Sequence, residues 1–164
     1  MPASAALHEP ALRLDEPVRS LLRQKISAIW SITPDATVYQ AIELMSDKRI
    51  GCLLVMVGGR LAGIVSERDY ARKVILMGRS SQHTQVREIM SKPVMFVTPD
   101  QTLDEAMRLM TTRRIRHLPV MEGEDVIGLV SIGDLVNWMI NSQQHTIRNL
   151  KSYITGDYPA PREG

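Results

Sequence analysis

The chain has a single cysteine, Cys52, in 164 residues. That excludes an intramolecular disulfide and a zinc cage built on cysteines, and nothing asks for an oxidising compartment. Long hydrophobic runs are missing too. The longest unbroken apolar stretch, CLLVMV at 52–57, has six residues, against the roughly 20 that a membrane-spanning helix needs. The opening MPASAALHEP lacks the basic start and apolar stretch of a secretory signal. A cytoplasmic protein without membrane contact is therefore expected. Neither charge sign dominates: 20 Lys and Arg against 18 Asp and Glu leave a formal +2. This falls short of the clustered basic character of a nucleic-acid binder. His8, His83, His117 and His145 are scattered, with no His-Glu-x-x-His or similar spacing, so no metal site is expected. The glycine loops of nucleotide-dependent enzymes and the Gly-x-Ser-x-Gly of serine hydrolases are also absent. Catalysis needs a positioned acid, base or nucleophile, and none stands out. No enzymatic activity is expected.

What is present is a globular composition, 44% hydrophobic and 23% charged, enough for a core. Most of it is written twice. Residues 33–70 align on 98–135 without a gap, and 17 of those 38 positions are identical. TPDATVYQAIELM faces TPDQTLDEAMRLM, RIGCLLVM faces RIRHLPVM, and GIVSERDY faces GLVSIGDL. A gapless match of that length means one structural unit present twice. Two copies are too few for a solenoid; they fit two units facing each other across a pseudo-two-fold axis.

Each unit reads as β-α-β-β-α, an α+β fold with small sheets flanked by helices. Thr37 with Gln40 and Thr102 with Glu105 have capping-box spacing. The apolar residues behind them recur as on an amphipathic helix. The runs 52–57 and 61–65, and their counterparts 117–121 and 126–130, read as strands joined by tight turns at 58–59 and 122–125. A first short strand is expected near 29–32 and near 94–97. Ser66 and Ser131 open a second helix. VRSLL at 18–22 resembles VREIM at 86–90, a short lead-in helix for each unit. The expected division is a flexible tail at 1–16, a first motif at 17–78, a polar linker at 79–85, a second motif at 86–141, and a C-terminal helix and tail at 142–164. The faces Ala41/Ile42/Met45 and Ala106/Met107/Met110 are expected to be incompletely covered in one copy, which points to a homodimer.

The heptapeptides GIVSERD and GLVSIGD place Gly, Ser and Asp at the same spacings. Ser-x-x-Asp at a helix start is a capping signal, and the glycine can serve close packing. The same geometry also suits a ligand. A helix start favours a phosphate, and a Ser hydroxyl can add a donor. An Asp one turn on can accept hydrogen bonds from a vicinal diol, and a glycine lets backbone approach a flat base. Phosphate, diol and base together describe an adenosine nucleotide.

With both copies in register behind TPD and RI..L.V, the pattern resembles a pair of CBS (cystathionine β-synthase) motifs forming a Bateman module. SERDYARKVILMGRSS, IRHLPV and YITGDYP resemble the bacterial stand-alone members. The resemblance implies a non-catalytic regulatory module that senses energy or redox state through AMP, ADP, ATP, NAD(H) or S-adenosylmethionine. AMP is the first choice here. It also implies a disk-like dimer and an unnamed protein effector. Carried over by position, Asp69 and Asp134 hold ribose hydroxyls, Ser66 and Ser131 reach a phosphate, and Thr33 and Thr98 contact ligand. Ile50, Gly51, Cys52 and Val65 line one base slot; Ile115, Leu118, Pro119 and Val130 line the other. Arg68, and Lys73 about a turn later, supply cations to the first cleft, with Arg116 and His117 leaning in from the second unit. The Asp134 cleft is expected to lack a local cation and to bind the weaker ligand. The alternatives are a ligand-free interaction scaffold and a small nucleic-acid-binding regulator. The basic residues Arg113, Arg114 and Arg116, matched by Lys48 and Arg49, fit the second, but cations at a helix C-terminus explain both copies.

Overall fold

Two threonines start the two matched helices. In the computed structural model, which describes residues 13–25 and 28–155, the Thr37 hydroxyl accepts from Gln40 N–H at 3.1 Å, and Thr37 N–H donates to Gln40 Oε1 at 2.9 Å. Thr102 and Glu105 repeat this at 3.1 and 2.8 Å. Both helices stop at an arginine, Arg49 or Arg114, with φ 54°. A left-handed non-glycine residue is uncommon. Here it turns the chain so that the next N–H, of Ile50 or Ile115, bonds back to Met45 or Met110 at 3.0 Å.

The element order is α1 (Val18–Gln24), β1 (Ser31–Ile32), α2 (Val38–Lys48), β2 (Cys52–Val57), β3 (Arg60–Ser66), α3 (Glu67–Tyr70), α4 (Leu103–Arg113), β4 (His117–Glu122), β5 (Asp125–Ser131) and α5 (Ile132–Thr155). The expected α+β class and the two matching units are both present. β2 and β3 are antiparallel, with Cys52 opposite Ser66, Val55 opposite Gly63 and a bulge after Val55. β4 and β5 repeat that register, with His117 opposite Ser131 and a bulge after Val120. The hairpin turns rest on Gly58 and Gly59 (φ 57° and 78°) and on Gly123 (φ 62°), the positive φ that tight hairpin loops demand.

The structure departs from the expectation in several places. The first strand of each unit is shorter: Ser31–Ile32 pairs parallel with Leu54–Val55, and in the second unit Val97 alone bridges Val120. α3 gives way after one turn to a π-helical turn, Ala71–Ile75. α5 is one continuous helix, where a division between the second motif and a C-terminal helix was expected at 141/142. The linker is not wholly solvated: Thr84 is buried, and its hydroxyl donates to the Ser80 carbonyl at 2.7 Å. The expected tail at 1–16, except for its last residues, and the expected fraying end at 156–164 lie outside the described residues.

The lead-in segments hold the main topological finding. Each packs on the other unit. Val18 and Leu21 of α1 lie in the core of the second unit with Val97, Leu103, Met110, Leu118 and Val130. Val86 and Ile89 lie in the core of the first with Val38, Met45, Leu53 and Val65. Backbone bonds fix the exchange: Val18 N–H to Gln101 O (2.8 Å) and Leu103 N–H to Glu16 O (2.9 Å) on one side, Val86 N–H to Ala36 O (2.9 Å) and Val38 N–H to Thr84 O (2.8 Å) on the other. VREIM forms only a 3-10 turn, Val86–Glu88, so the two lead-ins differ in structure while filling equivalent places.

Ala41, Met45, Ala106 and Met110, on the faces expected to be incompletely covered, are 0–1% exposed, while Ile42 and Met107 on the same faces are only partly buried.

Candidate functional site

Ser66 ends β3 and caps α3. Its N–H and its hydroxyl both donate to Asp69 Oδ2, at 2.9 and 3.0 Å, and its Oγ accepts from Asp69 N–H at 3.3 Å. Ser131 and Asp134 repeat the reciprocal cap, Ser131 N–H to Oδ2 at 2.7 Å and Asp134 N–H to Oγ at 3.1 Å. The capping role read from the sequence is thus real in both copies. What differs is what surrounds each carboxylate.

Around Asp69 the chain leaves a cavity of about 380 Å³. From the first unit come Gly51, Cys52, Ile64, Ser66, Glu67, Arg68, Asp69 and Arg72; from the second come Arg114, Ile115, Arg116 and His117; the segment between them adds Ser91 and Pro93–Met95. Of the expected residues, the structure therefore brings together Gly51, Cys52, Ser66, Arg68, Asp69, Ile115, Arg116 and His117. Four arginines and two acidic residues are among the lining. Arg68 already reaches across, donating to the Arg114 carbonyl at 2.9 Å. Lys73 stands outside this lining. It pairs with Asp69 Oδ1 at 2.9 Å and donates to the Ile89 carbonyl at 2.8 Å.

Other expected residues sit elsewhere. Val65, Leu118 and Val130 are core residues, 0–1% exposed, because alternation along each strand turns them away from the cleft. Pro119 is buried, and Ile50 packs against the first core. Thr33 and Thr98 are exposed at turns, where their carbonyls accept from Ala36 and Gln101 N–H at 3.2 Å.

The Asp134 side does have a cation. Lys25, at the end of α1, donates to Asp134 Oδ2 and to the Leu129 carbonyl, both at 2.7 Å. This overturns the expectation that the cleft lacks one. The sequence could not show it, because the two residues are 109 positions apart and meet only through the exchanged helix. Burial pushes the Asp134 carboxyl up. The bonds from Lys25 and Ser131 and the lysine's charge outweigh it, holding the group below the usual carboxylate range. Burial pushes His117 down; Asp134 opposes this, and Lys25 and Arg116 add to it, which favours the neutral imidazole. Its ring lies against Gly51, where a Cβ would meet Cε1 at 3.6 Å. Burial pushes the Cys52 thiol up to about 12, so it is no nucleophile.

Sequence reading also missed Arg72. The signal was there: it follows Arg68 by four residues, the spacing that puts two side chains on one helix face. Among the described residues no three His, Cys, Asp or Glu side chains gather to hold a metal, and no helix is long and apolar enough to cross a membrane.

The signature glycines face the exchanged segments. A Cβ on Gly63 would lie 2.7 Å from Met90 Sδ and 3.2 Å from the Ser91 carbonyl; one on Gly128 would lie 2.7 Å from Leu22 Cδ2. Close packing accounts for both, without a base. Gly63→Ala is expected to cost about 1–3 kcal/mol by overpacking, read as a lowered urea midpoint. Gly128→Ala should cost less, because only a flexible leucine must move. A neutral Gly63→Ala would disprove the packing role.

The CBS domain profile matches residues 16–75 and 86–141. Among curated relatives, the mitochondrial CBS domain-containing protein CBSX3 of Arabidopsis thaliana is 43% identical over 137 residues, covering 80% of this chain and 66% of the relative. YhcV of Bacillus subtilis is 35% identical over 114 residues, covering 69% of this chain and 81% of YhcV. A solved CBS-domain protein of Burkholderia ambifaria is 51% identical with a TM-score of 0.76, over 78% of this chain and 96% of that one. ATU1752 of Agrobacterium tumefaciens gives 32% and 0.71, over 74% and 92%. With two matched motifs and relatives at these identities, the chain belongs to the CBS domain family, as a tandem CBS pair of the regulatory kind.

Proposed function

We propose that this CBS pair senses cellular energy or redox state by binding an adenosine nucleotide in the Asp69 cavity, without turning it over. The observation that carries the reading is the composition of that one cavity. A carboxylate able to accept from a ribose diol, four arginines able to meet phosphate, and an apolar wall of Ile64, Val94, Met95 and Ile115 share about 380 Å³. That volume is in the range of small-ligand sites. Arginine is the side chain suited to phosphate oxygens.

The lining comes from both units, which supplies a mechanism. Arg68 now bonds the Arg114 carbonyl across the cleft. A phosphate that recruits Arg68 and Arg116 replaces this link with its own. Ligand binding then favours one packing of the two units over another, the only way a bound ligand can signal. AMP is the ligand proposed first; ADP, ATP and NAD(H) belong to the same proposal, as do cytoplasmic action, a protein effector and a homodimer. For the dimer, α5 adds support: Val136, Ile140 and Ile147 are 41, 48 and 52% exposed at spacings that form one stripe.

Thermal denaturation tests the reading. AMP is expected to raise the melting temperature and to saturate, as a ligand of the folded state must, while GMP does not. AMP should be recovered intact by chromatography. No shift with any adenosine nucleotide, or turnover that survives purification, would sink it. A native mass spectrum reads the co-purified nucleotide and, as a multiple of 18.4 kDa, the oligomer.

A further inference from the structure

The segments 18–25 and 86–93 correspond at a constant offset. Val18 and Val86, then Leu21 and Ile89, fill opposite cores, and Leu22 and Met90 close on Gly128 and Gly63. The same offset pairs Lys25 with Pro93. Pro93 lines the open cavity beside Asp69. Lys25 fills the matching place beside Asp134, with its ammonium on Asp134 Oδ2 and the Leu129 carbonyl, both at 2.7 Å. The carbonyl is informative. Leu129 matches Ile64, whose carbonyl takes the backbone N–H of Ser91 at 2.8 Å. In the second unit the lysine ammonium replaces that N–H and holds the signature carboxylate as well. Both side chains of the pair are 22% exposed.

We propose that Lys25 is a built-in occupant of the Asp134 cleft, so that each chain takes one adenosine nucleotide, at Asp69, and not two. The inference rests on the functional reading above. Asp69 also carries a lysine, but Lys73 comes from the following turn of its own helix, holds Oδ1, and is 44% exposed outside the cavity lining. Asp69 itself lines the open cavity, although its side chain is 13% exposed and Lys73 is also held by the Ile89 carbonyl at 2.8 Å. At Asp134 the cation stands in the place that Pro93 takes beside the open cavity, so a diol must displace it there, and charge-assisted bonds of 2.7 Å are the strong ones. Lys25 thus decides stoichiometry, through a residue outside both signature heptapeptides.

Calorimetric titration of AMP into wild type, Lys25→Met and Lys25→Gln decides it. Methionine keeps much of the stem's bulk and drops the ammonium; glutamine is the second choice should Lys25→Met fail to fold, with folding checked by circular dichroism. One AMP per wild-type chain is expected, and two per Lys25→Met or Lys25→Gln chain. The second should tighten at least tenfold over wild type and vanish when Asp134→Ala is added. Two AMP per wild-type chain would overturn the inference, as would a folded Lys25 variant that still binds one. Either result leaves the Asp69 reading standing. If wild type binds no AMP, the functional reading fails and takes this inference with it.

Discussion

Asp69→Ala is expected to weaken AMP binding about ten- to a hundredfold. Hydrogen bonds from a diol to a charged acceptor are worth roughly 1.5–3 kcal/mol in total, and each 1.4 kcal/mol is about a factor of ten in affinity. The substitution also removes a cap, since Asp69 Oδ2 holds the Ser66 N–H and hydroxyl. Cap loss lowers stability by about 0.5–2 kcal/mol and could imitate a binding defect. Asp69→Asn separates the two. It keeps an acceptor for Ser66 and gives up the charge, so its unliganded melting temperature should stay nearer wild type while its AMP affinity still falls. Asp134→Ala is the counterpart. Its carboxylate is already engaged by Lys25, so AMP affinity should change much less although stability drops. Equal losses from the two alanine variants, measured by calorimetry, would reverse the assignment of the binding cleft. No loss from either, with both proteins folded, would leave Ser-x-x-Asp as a helix cap alone.

How much of this was legible depended on the range of the interaction. Thr37/Gln40, Thr102/Glu105 and the two Ser-x-x-Asp caps are contacts within one turn, and spacing alone located all four. The hairpins followed from alternating apolar runs and their glycines. Arg116 and His117 were placed near Asp69 only through the family resemblance, and the cavity does bring them there. Lys25, Pro93 and Met95 carry no local pattern. They reach the clefts because chain segments cross between units, and no period in a sequence records a crossing. For the same reason Met45 and Met110 were expected on incompletely covered faces: the cores they enter include segments from the other half of the chain. Val65, Leu118 and Val130 show the converse limit. A signature stretch in a strand contains core and cleft residues in alternation, and its carry-over by position alone does not say which face each side chain takes.

Cutting the chain between Arg79 and Ser80 is expected to leave two halves that do not fold alone and that fold together when mixed. The residues before the cut contain α1, whose Val18 and Leu21 belong in the core of the second unit. Those after it contain Val86 and Ile89, which belong in the core of the first. Each half would expose two side chains that have no core of their own to enter, and its own core would lack two. Fully burying such a side chain is worth about 1.5–3 kcal/mol, so each half forgoes about 3–6 kcal/mol. A whole domain has only about 5–15 kcal/mol to lose, and a half-length chain starts lower still. Neither half should therefore show a cooperative melting transition by circular dichroism. Mixed in equal amounts, the halves regain both exchanges, and with them a single transition and the binding of AMP between units. A half that melts cooperatively by itself would mean that the exchanged segments are ornaments on two self-sufficient motifs. The failure of both halves, with recovery on mixing, would make the crossing of the chain the feature that joins the two motifs into one folding unit, and would explain why a ligand held between them can be sensed by the whole.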